Sequence, residues 1–593
     1  MTSAQPSEGL LLTDHLRHWA AERPQQRAFT YVDFPAADSP GLHRTLGWRG
    51  LDQQARAVAA RLAEAAGPGD RAALLLPQGL DYAAAFLGCL YAGVIAVPLF
   101  GPQLPGHQGR LAGVLDDCEP ACLLTDTATA PDVQVFTAGH GLPALPVIAV
   151  DAPAGTPPVP APVMPRPDPQ DIAYLQYTSG STRSPAGVMI SHANVVANAQ
   201  QALDAFGART TASTTVGWLP LFHDMGLVLS VAAPVVGGFP SVLMDPVAFL
   251  ADPLRWLRLL GSYPGTISAA PNFAYDYCTS RAAADDDADA IDELRLDRVK
   301  VLINGSEPVR PATVDRFHET FGRAGLAREA HCPSYGLAEA TVFVTNDAYT
   351  AAPLTVSCDA GALTAGRVTP CHPADPTAVR LSTCGEPAGQ ELRIADRATG
   401  RSLPAGEVGE IQVRGPNIGL GYWKRAGLSA EVFNVRAPGA PDEETGWLRT
   451  GDLGALHEGR LIVTGRLKDL IIVDGRNHYP QDVEETVQSA VGILRRDRLA
   501  AFCVPRADGS GEDDLVVVAE LRRGFEGAAD DPAARADTER AARAAVSARH
   551  GLRLSRLLLV APGTVPRTSS GKVSRAASRQ RFIEGDFEPT DHR

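Results

Sequence analysis

The sequence predicts an α/β fold divided into several lobes or domains, and three observations lead to this prediction. The chain has 593 residues, which is too long for one hydrophobic core. Through about the first 350 residues, apolar runs such as 71–75 alternate with helix-like segments such as 80–91. This alternation is typical of parallel sheets covered by helices. From about Leu392 to Val463, short strands separated by turns indicate a small β-rich lobe instead.

Two further features concern a separate C-terminal domain and a surface connection. After Gly465 come about 130 residues with their own alternation of strands and helices, which is enough for a separate domain. Residues 151–170 are rich in proline, and we expect them to form an irregular surface connection that leads into the next strand.

Composition and charge narrow the possible function classes. The net charge of −14 argues against general nucleic-acid binding. Nine scattered cysteines without a Cys-x-x-Cys pair favour a reducing compartment and mostly buried thiols. Two long apolar runs, Ala83–Gly101 and Leu227–Met244, are broken by glycine and proline, so each predicts a buried helix followed by a buried strand rather than a membrane span. Because residues 1–9 also lack the pattern of a signal peptide, we expect a soluble cytoplasmic protein.

A glycine-rich turn is the most informative segment of the chain. Residues 177–188 read YTSGSTRSPAGV, between an apolar run at Ile172–Leu175 and an apparent helix start at Ser191. Hydroxyls, glycines and backbone N–H groups in one turn between a strand and a helix suit the oxygens of a polyphosphate. The P-loop pattern requires Lys after its second glycine, but Val188 follows Gly187. A reactive lysine must therefore come from elsewhere in the chain.

Further segments follow this turn in a fixed order. They read GWLPLFHDMG at 217–226, NGSEP at 304–308, SYGLAEAT at 334–341, WLRTGD at 447–452, GRLKDLII at 465–472 and PRTSSGK at 566–572. The ordered set resembles the adenylate-forming superfamily of acyl-CoA synthetases, luciferases and peptide-synthetase adenylation domains. The resemblance implies a large N-terminal domain, residues 1–465, of two doubly wound α/β lobes plus the small β-rich lobe. It also implies a smaller mobile α+β C-terminal domain, residues 466–593.

A narrower resemblance is to the fatty acyl-AMP ligase branch. Residues 176–188 carry Arg183 and Ala186 where the superfamily usually has Gly and Lys, and the segments PNFAYD at 271–276 and GRNHYPQDVE at 475–484 also look like that branch. So does an insertion at about Ala351–Glu386. Such ligases use ATP and Mg²⁺ to activate a fatty acid as its adenylate. They pass the acyl group to a separate acyl carrier protein, of a polyketide or nonribosomal peptide pathway, rather than to coenzyme A.

The resemblance also implies residue roles. Lys572 would bridge the attacking carboxylate and the α-phosphate, which supplies the lysine that the glycine-rich turn lacks. Lys468 would be the hinge, and Asn272 and Phe273 would border the acyl tunnel. Thr178 and Glu339 would bind Mg²⁺, which prefers one or two carboxylates plus phosphate. The expected ATP/AMP-binding residues are Thr178, Ser179, Gly180, Ser181, Thr182, Gly305, Ser306, Glu307, Ser334, Tyr335, Gly336, Asp452 and Arg466.

Several alternatives stay open at this stage. His223 precedes Asp224, but adjacent side chains rarely face each other, so we assign His223 to orienting the substrate carboxylate rather than to proton transfer. The acceptor could be coenzyme A, or the chain could be a non-catalytic homologue that binds acyl or nucleotide ligands. A basic run either helps to dock an acidic carrier or is a solvated helix face: Arg567, Lys572, Arg575, Arg579 and Arg581. The length of the acyl chain does not follow from the motifs.

Overall fold

The computed structural model of the chain describes residues 9–37, 39–152, 166–177, 185–284, 291–436, 446–473, 476–506, 513–529, 531–568 and 571–587. The strands are β1 Arg27–Asp33, β2 Leu42–Gly47, β3 Arg71–Leu74, β4 Ile95–Pro98, β5 Cys122–Thr125, β6 Val147–Ala149, β7 Ile172–Tyr177, β8 Gly187–Ser191, β9 Thr214–Gly217, β10 Ser241–Met244, β11 Thr266–Ala270, β12 Val299–Asn304, β13 His331–Tyr335, β14 Thr345–Asn346, β15 Thr355–Asp359, β16 Ala378–Ser382, β17 Glu386–Pro387, β18 Glu391–Ala395, β19 Gly409–Arg414, β20 Leu448–His457, β21 Arg460–Arg466, β22 Ile471–Val473, β23 Arg476–His478, β24 Leu494–Pro505, β25 Asp513–Leu521 and β26 Leu554–Val560. The helices are α1 Leu12–Glu22, α2 Trp48–Leu62, α3 Leu80–Ala92, α4 Gln108–Cys118, α5 Ala130–Gly139, α6 His192–Ala205, α7 Asp224–Leu227, α8 Ala233–Gly237, α9 Pro246–Ala251, α10 Leu254–Ser262, α11 Asn272–Ala284, α12 Pro311–Phe321, α13 Ala360–Thr364, α14 Ala426–Val432, α15 Pro480–Ala490, α16 Pro532–His550 and α17 Arg575–Ile583.

Two large sheets form the first part of the molecule and confirm the predicted α/β class. One sheet has the order β17-β14-β13-β12-β11-β9-β10-β1-β2, and the other has the order β6-β5-β3-β4-β7-β8. Interior pairs such as β11·β12 and β3·β4 are parallel, whereas β1·β2 and β7·β8 are antiparallel edge pairs. Nearly all residues of helix α3 are apolar and buried. The helix contributes to the largest core cluster.

The two apolar runs fold as the sequence predicts. The first forms α3 followed by β4. The second includes a π-helical turn, Val228–Ala232, then α8 and β10. No helix within the described ranges combines the length and the apolar character needed to cross a bilayer. Seven of the nine cysteines are buried, as the sequence predicts.

The remainder of the chain forms two smaller units. The β-rich lobe is an antiparallel sheet in the order β18-β19-β20-β21, and it accounts for the short strands seen in the sequence. The C-terminal unit is built on the sheet β24-β25-β26 and has core clusters of its own. Residues of α15 and α16 bury one face of this sheet, and Phe582 of α17 packs on the other.

The helix predicted to start at Ser191 is present, and a strand that the sequence analysis did not predict leads into it. After the turn, residues 187–191 form β8, which pairs antiparallel with β7, and α6 begins only at His192. Ser191 caps α6, with its Oγ accepting from the Asn194 N–H at 3.1 Å. Since Ser191 pairs with Ile172 while Gly187 pairs with Tyr177, the N-terminus of α6 lies at the far end of the hairpin from the turn. Residues 187–190 are apolar and mostly buried, which favours a strand here.

Candidate active site

A cavity of about 1260 Å³ between the large domain and the C-terminal unit brings many of the expected residues together, although His223 and Glu339 are not part of its lining. The predicted residues that line it are Asn272, Phe273, Ser306, Glu307, Ser334, Tyr335, Gly336, Asp452, Arg466, Lys468 and Lys572. Gly305 lies just beneath the lining, where a Cβ atom would stand 2.8 Å from the Ser334 carbonyl oxygen. Thr178, Ser179, Gly180, Ser181 and Thr182 lie outside the described residues.

Much of this lining lies just after the carboxyl ends of three parallel strands. β11, β12 and β13 are adjacent and parallel, and their carboxyl ends lead into Asn272, Gly305 and Gly336 respectively. Ligands of open α/β sheets bind outside the carboxyl ends of the strands, where loops with free backbone groups converge. Ser306 adopts φ 68°, a strained conformation for a non-glycine residue and one that is concentrated at functional sites.

Asp452 is held by two neighbours from different strands. Its Oδ2 accepts from the Tyr335 hydroxyl at 2.9 Å, and the Arg466 Nε lies 3.3 Å from its Oδ1. Asp452 and Arg466 are register partners on β20 and β21, so the sheet itself fixes this ion pair. Burial raises the pKa of Asp452, while Arg466 and the Tyr335 hydroxyl oppose that rise. The carboxylate is therefore oriented in advance to accept hydroxyl donors.

Lys572 reaches the cavity from a tight turn of the C-terminal unit. The Thr568 N–H donates to the Lys572 carbonyl at 2.8 Å, and the Lys572 N–H donates to Thr568 Oγ1 at 3.2 Å. Burial lowers the pKa of Lys572 to about 8, although the carboxylates of Glu307 and Asp224 act to raise it. The Glu307 carboxylate also accepts from the Phe273 N–H at 2.7 Å. Lys572 thus lines the same cavity as Glu307 of the large domain, and its role at the α-phosphate stays a prediction.

His223 and Asp224 do contact each other, so the expectation that adjacent side chains would point apart is wrong. The His223 Nδ1 lies 2.6 Å from Asp224 Oδ1, and the Met225 N–H donates to the same oxygen at 2.7 Å. His223 is the extended residue before α7 and Asp224 is the first helical residue, which turns both side chains to one side. Burial acts to raise the pKa of Asp224, but His223 and the Met225 N–H hold it below its usual value. The contact fixes the orientation of the imidazole ring through Nδ1, so Nε2 is the ring nitrogen that remains for other contacts.

Glu339 has a surrounding suited to a hard cation. Its Oε1 accepts from the Tyr422 hydroxyl at 2.7 Å, and its carbonyl accepts from the Gly419 N–H at 2.9 Å. Across the described ranges, no group of three or more His, Cys, Asp or Glu side chains could hold a metal. A single carboxylate is compatible with Mg²⁺, which keeps its waters and takes further ligands from substrate phosphates.

Tyr422 is a site residue that the sequence motifs missed. The backbone around Tyr422 hydrogen-bonds to the edge of β8. The Met189 N–H donates to the Gly421 carbonyl, and the Trp423 N–H donates to the Gly187 carbonyl, both at 2.8 Å. Pairing across more than 230 residues places the phenol beside Glu339. No local pattern signals such a contact.

The basic run near the end of the chain is engaged inside its own domain. Arg575 donates from Nε and Nη2 to the two Glu484 oxygens at 2.6 and 2.7 Å. Arg579 donates to the Cys503 carbonyl and Arg581 to the Thr564 carbonyl. Internal acceptors thus hold the guanidinium groups of these three partly exposed arginines.

Comparison with known proteins agrees with this geometry. A family model described as AMP-binding enzyme matches residues 16–423. The chain is 42% identical over 588 residues to the long-chain-fatty-acid–AMP ligase FadD26 of Mycobacterium marinum, covering 97% of this chain and 98% of that protein. It is 41% identical to the long-chain-fatty-acid–AMP ligase FadD32 of Mycolicibacterium smegmatis, with 98% and 95% covered.

Solved structures show the same likeness over the whole length. A structure from studies of fatty acyl-adenylate ligases of E. coli and L. pneumophila has a TM-score of 0.84 and 30% identity, covering 98% of this chain and 99% of that one. The L. pneumophila fatty acyl-adenylate ligase in complex with acyl adenylate and pyrophosphate has a TM-score of 0.73 and 34% identity, covering 97% and 96%. This chain therefore belongs to the AMP-binding enzyme family and, within it, to the branch of fatty acyl-AMP ligases.

Proposed function

We propose that this protein activates a fatty acid with ATP and transfers the acyl group to the thiol of a separate acyl carrier protein. The observation that carries the proposal is the meeting of Lys572 with the Tyr335–Asp452–Arg466 cluster in one cavity. A buried lysine in the same cavity as an oriented carboxylate fits nucleotide chemistry better than simple ligand storage. The relatives named as fatty-acid–AMP ligases support the choice of substrate class.

In the first half-reaction, a carboxylate oxygen of the fatty acid attacks the α-phosphorus of ATP and pyrophosphate leaves. Asp452 accepts the ribose hydroxyls, and Tyr335 presents its ring to the base. The Lys572 ammonium lies between the attacking carboxylate and the α-phosphate, where it neutralises charge that grows in the transition state. His223, oriented by Asp224, sets the position of the carboxylate.

In the second half-reaction, a thiol sulfur attacks the acyl carbonyl carbon and AMP leaves. Turning of the C-terminal domain about Lys468 removes Lys572 from the cavity and admits the phosphopantetheine arm. Lys468 lies in a short helical turn, Leu467–Asp469, directly after β21 of the β-rich lobe. That position joins the large domain to the C-terminal unit, as a hinge requires.

Mg²⁺ completes the proposed site. Glu339 would hold it through the carboxylate that Tyr422 orients, together with Thr178, which lies outside the described residues. When bound, the ion supplies charge neutralisation for the phosphates.

An acyl-CoA ligase is the second candidate, and it differs only in the acceptor. The insertion argues against it, because its hairpin of β15 and β16 with α13 touches the C-terminal unit. Leu363 of α13 shares one core cluster with Tyr479, and so do Ala455 and Ile462 of the β-rich lobe. An element that packs on both units restrains the domain movement that coenzyme A use requires.

The test is a half-reaction assay. Purified protein with ATP, Mg²⁺ and lauric acid should release pyrophosphate and accumulate lauroyl-AMP. In parallel reactions, addition of a phosphopantetheinylated carrier should discharge the adenylate faster than coenzyme A does. Absence of any adenylate across a panel of fatty and aromatic acids would refute the proposed activity, whereas faster discharge by coenzyme A would refute only the carrier.

A further inference from the structure

An ion-pair cluster joins the two domains beside the cavity. Arg310, which immediately precedes α12, contacts Asp497 through Nη1, and the same nitrogen lies 3.6 Å from Glu485 Oε2. Glu485 belongs to α15 and Asp497 to β24, so both carboxylates come from the C-terminal unit. The side chains of Arg310 and Asp497 are 30% and 20% exposed, so the contact is partly buried and salt screens it only in part.

Both ends of this interdomain ion-pair cluster are fixed by their backbones. The Arg310 N–H donates to Asn272 Oδ1 at 3.1 Å, which ties it to the start of α11. Asp497 has φ 55° and lies within an irregularity of β24, between Leu494 and Leu499, where the register shifts. A bulge of this kind re-aims a side chain out of its sheet. The Asp497 N–H donates to Gln488 Oε1 at 2.6 Å, which holds the bulge against α15.

The cluster is linked to Lys572 both in the large domain and in the C-terminal unit. In the large domain, Glu307 lies three residues before Arg310 in the same loop, and it is the carboxylate that most strongly raises the pKa of Lys572. In the C-terminal unit, Arg575 pairs with both oxygens of Glu484, the neighbour of Glu485 on α15. Movement that separates Arg310 from α15 therefore also withdraws Lys572 from Glu307.

We propose that Arg310 is a positioning residue for adenylate formation, acting through its ion pairs with Asp497 and Glu485. These pairs favour the orientation of the C-terminal domain in which Lys572 enters the cavity. Their loss favours the orientation in which a thiol acceptor enters. The inference rests on the proposed two-step function and adds a residue that acts on one step only.

The experiment compares the two half-reactions in Arg310→Ala and Asp497→Asn. Asn tolerates the left-handed conformation at least as well as Asp, so the second variant removes the charge without adding strain. Pyrophosphate release is measured with ATP and lauric acid, and transfer is measured from purified lauroyl-AMP to pantetheine. Both variants should slow pyrophosphate release on the order of tenfold, the scale of a 1.4 kcal/mol change, while transfer stays equal or becomes faster.

Three controls separate positioning from general damage. Arg258→Ala removes an exposed arginine whose partner Asp252, at 2.8 Å, lies in the same lobe, and it should leave both steps unchanged. Arg310→Lys keeps the charge and should recover part of the lost rate. Added salt should slow pyrophosphate release more in the wild type and Arg258→Ala than in Arg310→Ala, since only the first two retain the cluster.

Two results would overturn the inference: wild-type rates of pyrophosphate release in both charge-removing variants, or equal losses in the two half-reactions. Thermal unfolding of each variant checks that the fold is intact. A wild-type protein that forms no adenylate would instead refute the proposed function, so the two failures are distinguishable.

Discussion

Burial and nearby charges together set the protonation of Lys572, the residue proposed to act on the α-phosphate. Burial in the cleft lowers the pKa of Lys572 to about 8, and Arg466 lowers it further, while Glu307, Asp224 and Asp452 act to raise it. The ammonium is therefore the main form below pH 8 and is lost as the pH rises through that value. Carboxylates of the large domain stabilise the charged form as long as the domains stay together.

Adenylate formation should accordingly fall on the alkaline side. We expect kcat/KM for ATP, measured by pyrophosphate release, to decrease above about pH 8, because this ratio reports groups of the free enzyme. Lys572→Ala should slow the reaction on the order of a hundredfold or more while retaining ATP binding, because it removes one stabilising charge. Lys572→Arg should be slower than the wild type but keep its rate to higher pH. An unchanged alkaline decrease in Lys572→Arg would assign the titration to another group.

At the scale of elements, the insertion is a hairpin with three neighbours. Val356, Cys358 and Leu363 are buried with Ala455 and Ile462 of the β-rich lobe and with Tyr479 of the C-terminal unit. Arg380 of β16 lies 2.9 Å from Asp315 of α12. The insertion thus bridges the large domain and the C-terminal unit through apolar packing, which is independent of the ionic contact of Arg310.

Removing this hairpin should increase use of coenzyme A. Thr355 and Ser382 are register partners, so residues 356–381 can be replaced by an Asn-Gly turn without separating the ends. Thr383 should be kept, because its hydroxyl donates to the buried Asp347 at 2.9 Å. We expect acyl-CoA formation to rise while the rate of adenylate formation stays within a few-fold, since the restraint acts on domain movement.

Leu363→Ala is a milder version with the same expected direction, because it removes side-chain packing but leaves the hairpin in place. The measurement is chromatographic detection of lauroyl-CoA, with thermal unfolding as the check on folding. If a folded hairpin-deletion variant forms no more lauroyl-CoA than the wild type, the insertion does not restrain the acceptor step.

At the scale of the whole molecule, the C-terminal unit has the cores of an independent domain. Residues such as Val483, Val517 and Val546 bury one face of its sheet, while Val516, Val518 and Val565 bury the other. Apolar packing on both faces is what a domain needs in order to fold alone. Its contacts with the large domain include an open cavity, lined by both polar and apolar groups, and the ion pairs of Arg310, which suit a reversible interface.

Residues 467–593 expressed alone should therefore fold. We expect a cooperative thermal transition and a dispersed amide NMR spectrum, with a free energy of unfolding on the order of 5–10 kcal/mol. Val517→Asp is the matched control, since a buried carboxylate without a partner should abolish the transition. A broad transition with strong dye binding in the unsubstituted fragment would show that the large domain is needed for folding.

How much the sequence predicted depended on how local each signal was. The alternation of strands and helices, the β-rich lobe and the buried character of both apolar runs follow from short-range periodicity, and the structure confirms them. The helix predicted to begin at Ser191 is present, with Ser191 as its cap, but the strand β8 that precedes it was not predicted. The pairing of β8 with β7 is a tertiary contact that the local turn and helix signals do not show. The His223–Asp224 contact was also missed, because it depends on where α7 begins.

The sequence by itself determined the family, the fold class and the identity of the residues that carry the proposed chemistry, because each is encoded in short segments in a fixed order. Only the tertiary structure decided which partners orient those residues. Tyr422 beside Glu339, Arg310 between Glu485 and Asp497, and the insertion against Tyr479 all join segments distant along the chain. Such contacts arise from strand pairing and domain packing, which bring together side chains that no local pattern relates.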